Sequence, residues 1–514
     1  MKRPISILLI TEGTYPFHAG GVSTWAHQLC EKVKHAEFSV YSINAGVEGL
    51  QGFQLSGKVK ELVQLPMWAP DEPGDCMTFQ GSYSQRIVRK EATGEGAVSA
   101  GFIPSFKNFL KAVLVGHQDQ ELLDQYLYGM WSYFREFDYK DTMTSRAVWE
   151  CYKETVSVAL PEEESQMITL EDLTTGMRWL YRFMMPISLE PPKVDIAHMT
   201  IAGIALFPAL SLKYRYNTPL VLTEHGVYIR ERLISLGNSN FSPFLKKLLI
   251  NLSETLTRLV YHHADIITTV SKFNIRWERY YGAHPDKIRI IYNGVDTGIF
   301  KPRPKPPHLQ QVPTVVAAAR IFELKDIKTM IKVCYEVRKK IPEVHFLVYG
   351  NKDAVPQYTL ECESLVQKLG VEDNFSLKGF HPSPEAIYCE GDISILTSIS
   401  EGFPYTVLES MSCGVPVVAT DVGGVSEALD LDSGFLCKPR DHIALADRVI
   451  RLLENKELRR SMGINGRNQV LKKFTIDHFT QAFECAYLSM TENKYTQAIP
   501  GSKEMVARYG KKGT

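Results

Sequence analysis

Short apolar runs alternate with amphipathic stretches twice along the chain, with an irregular region inside the first series. Ile5-Ser6-Ile7-Leu8-Leu9-Ile10 is an apolar run of strand length followed at once by turn formers, the pattern of a buried strand. Thr11 to Gly20 reads as a loop. From Gly21 to Lys34 the apolar residues Val22, Trp25, Ala26, Leu29 and Val33 recur along one helical face, and Phe38–Ile43 reads as the next strand. This is a βαβ opening without a G-x-G-x-x-G fingerprint. Gly20 and Gly21 instead open the helix, either as a plain turn or as a place where the backbone comes close to a bulky ligand.

From about Gly46 to Pro192 the pattern blurs. Pro66, Pro70, Pro73 and Gly74 mark a loop, and Leu122–Phe137 and Leu173–Met185 read as aromatic-rich helices. Their Trp131, Tyr133, Phe134, Trp179, Tyr181 and Phe183 are more readily the core of an extra helical layer than the lining of a cleft. The α/β pattern then resumes: a strand at Val194–His198, a helix at Ala202–Tyr214 and a strand at Pro219–Thr223. A long helix at Phe244–His263 and a strand at Asp265–Val270 follow. Five prolines between Lys301 and Pro313 read as a linker. Beyond it a second series of strands runs through Thr314–Ala318, Val344–Tyr349, Phe375–Leu377, Ile393–Leu396, Val417–Thr420 and Gly434–Leu436, with helices between. A last helix is expected at Asp477–Met490, and Ile499–Thr514 reads as a polar, frayed tail.

Composition narrows this picture without changing it. A chain of 514 residues has material for two or more cores. Lys plus Arg and Asp plus Glu number 58 each, a balance that points to neither nucleic acid nor a membrane surface. No apolar run reaches the roughly 18 residues of a membrane span; the longest, Ile201–Leu212, is shorter. Lys2 and Arg3 before the first apolar run imitate a signal peptide, but Glu12 follows too soon and a buried strand is the better reading. The nine cysteines are scattered without a Cys-x-x-Cys pair, so reduced thiols in a cytoplasmic protein are expected.

The densest chemistry lies in Ser400-Glu401-Gly402-Phe403-Pro404-Tyr405-Thr406-Val407-Leu408-Glu409-Ser410. It sets Glu401 in a loop at a strand's carboxyl end and Glu409 on the helix that follows. Pro404 suits the first helical turn, and the amides of Tyr405 to Val407 suit an anion. In open α/β sheets, ligands bind at that edge. Arg320 and Lys325, five positions apart, follow another strand of the same series. Thr223-Glu224-His225-Gly226 puts a histidine at a strand end in the first series. Asp430-Leu431-Asp432 spells a metal pair, but stands between a short helix and Ser433-Gly434, where turn chemistry explains it.

The Glu401/Glu409 segment resembles the E-x7-E signature of the retaining family 4 glycosyltransferases. The wording around Val227-Tyr228-Ile229-Arg230-Glu231-Arg232 and the length of the insertion at about 46–192 resemble the Pel exopolysaccharide branch of that family. The resemblance implies the GT-B fold: two Rossmann-like doubly wound α/β domains facing a central cleft, with a helical insertion in the N-terminal one. The N-terminal acceptor domain would cover 1–300 and the nucleotide-sugar domain 301–475. A helix at 476–490 would cross back to the first domain, leaving a tail at 491–514. It implies catalytic work for Glu401, His225, Arg320 and Lys325. It implies donor contacts from Gly20, Gly21, Arg320, Lys325, Gly379, Phe380, Phe403, Pro404, Tyr405, Thr406 and Glu409. Within that set Glu409 would hold ribose, Glu401 the donor sugar, and Arg320 and Lys325 the phosphates. Asp326 departs from the pattern, standing where many members have glycine, and an acid there would temper the charge of Lys325. The implied activity is transfer of a glucose or N-acetylhexosamine unit from a UDP-sugar to a growing exopolysaccharide, with retention and without a metal or other cofactor. The implied partners are the polysaccharide acceptor and membrane-embedded export proteins that recruit the chain to the inner face of the cell membrane. A nucleotide-sugar 2-epimerase of the same fold and a non-catalytic nucleotide-sugar-binding scaffold are the alternatives.

Overall fold

The computed structural model describes residues 3–49, 52–69 and 82–495. Pro70, Pro73 and Gly74 and the tail from Ile499 lie outside them. The chain divides into two compact units. One holds the residues through Thr269, Ile275–Arg289 and those from Phe483 onward; the other holds Val270–Asn274 and Ile290–Ala482.

The first unit is built on a seven-stranded sheet. In chain order its strands are β1 (Ile5–Glu12), β2 (Ala36–Asn44), β3 (Val59–Pro66), β4 (Ile196–Met199), β5 (Leu220–Glu224), β6 (Ile266–Thr269) and β7 (Ile288–Ile290), arranged β3-β2-β1-β4-β5-β6-β7. β1 is flanked by β2, paired from Ile5 with Ala36 to Glu12 with Ile43, and by β4. Its Ile7, Leu8, Leu9 and Ile10 are fully buried, as a central parallel strand requires. Helix α1 (Gly21–Lys32) buries Trp25, Ala26 and Leu29, the face read from their spacing.

The region at 46–192 is not helical throughout. β3 lies inside it as an edge strand pairing with β2, and its exposed Lys60 and Glu61 hide the alternation that would reveal it. The helices Ile103–Val115, Gln120–Tyr133, Arg146–Ala159 and Leu170–Met184 then form a layer that shares one hydrophobic cluster with helix α2 (Pro243–His263) and the sheet. Trp131, Tyr133, Phe134 and Phe183 are buried in this cluster, so these aromatics are core. A fully buried side chain of that size contributes about 1.5–3 kcal/mol. The continuous helical run Glu95–Val115 is long and apolar enough, by length and composition, to cross a membrane. Its Phe102, Phe106, Phe109 and Leu110 are buried in this same cluster.

The second unit carries a six-stranded sheet of β8 (Thr314–Ala318), β9 (His345–Tyr349), β10 (Phe375–Gly379), β11 (Ile393–Leu396), β12 (Val417–Thr420) and β13 (Gly434–Cys437), in the order β10-β9-β8-β11-β12-β13. The chain builds outward from β8 to β10 on one side, then returns to start again at β11 on the other. The order reverses between β8 and β11, which pair through Val315 with Ile393 and Val316 with Ser394. Crevices at such reversals are where open α/β sheets take ligands. Helix α3 (Ile327–Arg338) follows β8, α4 (Pro384–Glu390) precedes β11, and α5 (Tyr405–Ser412) follows it. Both sheets are parallel, with helices joining all their consecutive strands except β2 and β3 among the described residues, the two Rossmann-like doubly wound domains expected from the sequence. The last helix, α6 (Ile476–Tyr495), is shared between the units, which divide at Phe483.

Candidate active site

The reversal point brings the loops after β8 and β11 side by side. Thr397 ties them: its hydroxyl donates to the carbonyls of Lys325 and Asp326, both at 3.0 Å, and the Ile399 amide donates to the Leu324 carbonyl at 2.8 Å. This stitching delivers Lys325 to Glu401, 76 positions along the chain. Lys325 Nζ donates to Glu401 Oε1 at 2.5 Å, and the Ser398 hydroxyl donates to the same oxygen at 2.5 Å. The Glu401 side chain is only 9% exposed and that of Lys325 21%.

Asp326 turns its carboxylate to the start of α3. Its backbone is left-handed at φ 45°, the conformation that glycine adopts without cost, and its carboxylate caps α3 by accepting from the Thr329 hydroxyl at 2.6 Å and the Thr329 amide at 3.3 Å. The acid in contact with Lys325 is Glu401. Arg320 stands exposed on the same loop with its guanidinium over the Phe322 ring, 4.9 Å from the centroid.

Helix α5 starts one residue later than expected. Pro404 occupies the cap position rather than the first turn, and its carbonyl accepts the Val407 amide at 3.3 Å, so the Val407 amide is already taken. Phe403 turns its ring into the core against Tyr292 and Phe474, with centroids 4.9 and 5.4 Å away. Its carbonyl accepts from Asn293 Nδ2 at 2.8 Å. The backbone of Phe403 and Pro404 is thereby fixed from behind. Tyr405 is buried and Thr406 half-buried at the helix start. Glu409, on the next turn of α5, accepts the Tyr388 hydroxyl from α4 at 2.6 Å. Burial pushes the Glu409 carboxyl up to about 7, against the Tyr388 hydrogen bond, which lowers it.

Further along the edge, the ends of β8, β9 and β10 are laced together: Ala319 donates to the Tyr349 carbonyl and Gly350 to that of Gly379, both at 2.9 Å. A Cβ on Gly350 would lie 1.9 Å from the Ala319 carbonyl oxygen. Gly379 turns at φ 78°, and Phe380 projects into solvent at 72% exposure.

Gly20, Gly21 and His225 belong to the first unit. Gly20 is extended at the cap of α1, and among the described residues, its chain neighbours aside, no atom lies within 4 Å of where a Cβ would stand. His225 follows β5, its ring edge-on to Trp25 of α1 at 4.5 Å. Burial lowers its imidazolium to about 3, so the ring is neutral, and its buried Nε2 has no hydrogen-bond partner among the described residues. Beneath the same edge, Glu12 accepts the Ala205 amide at 2.7 Å and is pushed up to about 7 by burial.

Four residues of the second unit's site escaped the sequence reading. Ser398 and Tyr388 orient the two glutamates. Gly423 and Gly424, after β12, press against the Glu401 loop, and the Gly424 amide donates to the Gly402 carbonyl at 2.9 Å. The signal was present: a Gly-Gly leading into a helix is the feature that singled out Gly20 and Gly21. Gly423 sits at φ 59°, and a Cβ there would lie 1.7 Å from the Glu401 carbonyl oxygen. Gly423→Ala should therefore displace the Glu401 loop and lower the melting temperature, by about 1–3 kcal/mol of strain. Thermal unfolding of the variant checks this; an unchanged midpoint would show that the loop gives way freely. Asp430, in the other acid pair, accepts the Ser433 hydroxyl at 2.6 Å within a turn leading into β13.

The family model described as Domain of unknown function (DUF3492) matches residues 5–286, and the one described as Glycosyl transferases group 1 matches residues 300–469. The chain is similar to N-acetyl-alpha-D-glucosaminyl L-malate synthase of Bacillus anthracis, 28% identical over 240 residues, which are 45% of this chain and 61% of that protein. It thus spans about six-tenths of that relative's length. Among solved structures it is similar to sucrose-phosphate synthase from Thermosynechococcus elongatus, with a TM-score of 0.59 and 16% identity over 95% of this chain and 100% of that one. It is likewise similar to Anabaena Alr3699/HepE in complex with UDP and glucose, with a TM-score of 0.57 and 15% identity over 94% and 99% of the two chains. At such identities the likeness concerns the fold, and the fold is GT-B. The match over 5–286 takes in more than half of the chain, so the protein is a member of the DUF3492 family, with a Glycosyl transferases group 1 region that carries Lys325, Glu401 and Glu409.

Proposed function

We propose that the protein is a retaining glycosyltransferase that moves a glucose or N-acetylhexosamine unit from a UDP-sugar to a growing exopolysaccharide, as in Pel-type biosynthesis. The observation that carries this reading is the Lys325–Glu401 contact at the point where the strand order reverses, with Glu409 one helix further on. Breaking the bond between the anomeric carbon and a phosphate oxygen puts negative charge on the leaving diphosphate and positive character on the sugar. Lys325 and the exposed Arg320 would stabilise that diphosphate, and the backbone amides at the start of α5 would add to them. Lys325 then exchanges a carboxylate for a phosphate, which leaves Glu401 able to accept from hydroxyls of the donor sugar. Glu409 would hold the ribose hydroxyls. The unpartnered Nε2 of the neutral His225 would face a sugar hydroxyl, and the open space at Gly20 would admit a ligand close to the α1 amides.

The donor class draws support from two sources. The α-glucosaminyl group in the name of the Bacillus anthracis relative favours an N-acetylhexosamine and a retained configuration. The UDP and glucose bound by the Anabaena protein suit a uridine nucleotide. The polymer acceptor and recruitment from the cytoplasm to the inner face of the membrane by export proteins rest on the Pel-like wording at Val227–Arg232.

Incubating the protein with a panel of nucleotide sugars and following nucleoside diphosphate release tests the reading. UDP-N-acetylhexosamines or UDP-glucose should be consumed, and proton NMR of the product should show an α-linkage. Epimerised donor without transfer would point to a 2-epimerase, and tight UDP binding without turnover to a scaffold. Turnover is also expected to survive excess chelator, because the side-chain cations and helix amides supply the charge a metal would bring. Asp430→Asn/Asp432→Asn should keep most activity. Activity lost in chelator and restored by Mg²⁺ or Mn²⁺ would overturn the metal-free mechanism.

A further inference from the structure

A buried chain of hydrogen bonds in the first unit has no task in the proposed transfer, and its direction follows from its last member. The Thr268 hydroxyl of β6 donates to the Leu222 carbonyl at 3.1 Å. That proton is spent, so at the 2.6 Å contact between Thr268 and Thr223 the donor is the Thr223 hydroxyl of β5. Thr223 is then left to accept from His198 of β4, whose Nε2 lies 2.7 Å away. Nε2 of His198 therefore carries the ring proton and Nδ1 is bare. The Tyr487 hydroxyl of α6, 2.7 Å from Nδ1, donates to it. Four buried side chains, from three adjacent strands and the last helix, are thus ordered in one sense. Burial lowers the His198 imidazolium to about 3, and His225 nearby adds to the effect, so the ring stays neutral.

This chain abuts the indole that meets His225. His198 lies edge-on to Trp25 at 5.4 Å, and Phe483, one turn before Tyr487 on α6, does so at 5.5 Å. The same indole meets the His225 ring at 4.5 Å. Trp25 is fully buried, and close-packed interiors pass displacements on. A shift of His198 is therefore handed to Trp25 and from there to His225, whose Nε2 has no hydrogen bond among the described residues to resist it.

We propose that His198 and Tyr487 are positioning residues, which hold the Trp25 indole and through it aim the His225 ring. The ordered chain stands on hydrogen-bond geometry alone; its effect on sugar transfer rests on the proposed function. Every proton in it points from α6 towards the sheet, so the sheet side has no donor to offer Nδ1 once the Tyr487 hydroxyl is lost. An acceptor buried among rings is costly to leave unpaired. In Tyr487→Phe the His198 ring should therefore shift, and Trp25 and His225 with it.

The full chain is labelled with 15N-histidine and its long-range proton–nitrogen spectrum is recorded. The His198 and His225 signals are those missing from His198→Gln and His225→Gln. In the wild type His198 should show a protonated Nε2 and a bare Nδ1, unchanged from pH 6 to 8. Tyr487→Phe should move the His225 ring signals, although the two residues are remote in sequence. It should also lower kcat for UDP release from UDP-glucose or UDP-N-acetylglucosamine by about tenfold, within the range that misplacing a reacting group costs. KM for the donor should hold, because the residues proposed to contact the nucleotide lie in the second unit. Phe483→Leu acts on Trp25 without touching the hydrogen bonds; it should move the same His225 signals and decides the matter if Tyr487→Phe does not fold. A His198 protonated on Nδ1 would overturn the proposal, as would His225 signals that stay in place in the folded variant, whatever happens to kcat. Signals that move while kcat holds, or in a protein that releases no UDP, would uphold the aiming of the ring and refute the transfer role given to His225.

Discussion

Glu401→Gln is expected to lower donor turnover by about 10²–10³-fold, the usual effect of removing one preorganised transition-state contact, while affinity for free UDP is kept or rises. Glutamine keeps the shape of Glu401 and still offers Ser398 an oxygen, so the loop survives. What it removes is the charge that holds Lys325 at 2.5 Å. A released Lys325 is free for the diphosphate, which is why UDP should not bind more weakly. Lys325→Ala should reverse the pattern: turnover falls by a comparable factor and UDP affinity falls with it. Steady-state kinetics with UDP calorimetry on both variants separates the roles. Equal loss of UDP affinity in the two would mean that Glu401 and Lys325 act as one structural ion pair and not as a sugar contact and a phosphate contact.

Glu409→Ala should weaken UDP by about 10–150-fold at pH 8, equivalent to the ~1.5–3 kcal/mol of a hydrogen bond to a charged group. The effect should shrink as the pH falls. Burial raises the Glu409 carboxyl to about 7 in the free protein, and only the ionised form accepts from both ribose hydroxyls. UDP affinity of the wild type should therefore climb as the pH rises through about 7, and the Glu409→Ala profile should be flat there. Tyr388→Phe removes the hydrogen bond that favours ionisation and should move the midpoint upward. The stability of the free protein runs the other way. With the folded value raised from 4.5 to about 7, this group's contribution is fully present below 4.5 and is lost as pH rises through 7. A wild-type affinity that is level from pH 6 to 8 would remove Glu409 from the ribose.

What the sequence made legible was whatever depends on short range. The first strand and helix, the Glu401–Glu409 spacing and the turn at Asp430–Ser433 are set within about a dozen residues, and periodicity and turn chemistry reach that far. The insertion was less readable for a physical reason. Arg146–Ala159 buries Val148, Cys151, Tyr152, Thr155 and Val156, but mixes β-branched and charged residues so that no apolar stripe stands out. The Lys325–Glu401 contact was out of reach altogether. It exists because β8 and β11 are neighbours, a fact of strand order and not of local spelling. Sequence could name the two residues as members of one site, yet not that each is the other's partner before a ligand arrives.

Asp326 has a consequence for how such proteins diverge. A left-handed backbone costs an ordinary L-residue about 1–2 kcal/mol, less for aspartate, while a helix cap returns typically about 1 kcal/mol. With φ at 45° and Thr329 capped, the two nearly cancel. Glycine and aspartate are then interchangeable solutions to one corner, the first by lacking a side chain and the second by using it. Drift between them leaves Lys325 where it is, so a search pattern that demands glycine after this lysine would discard chains whose sites are intact.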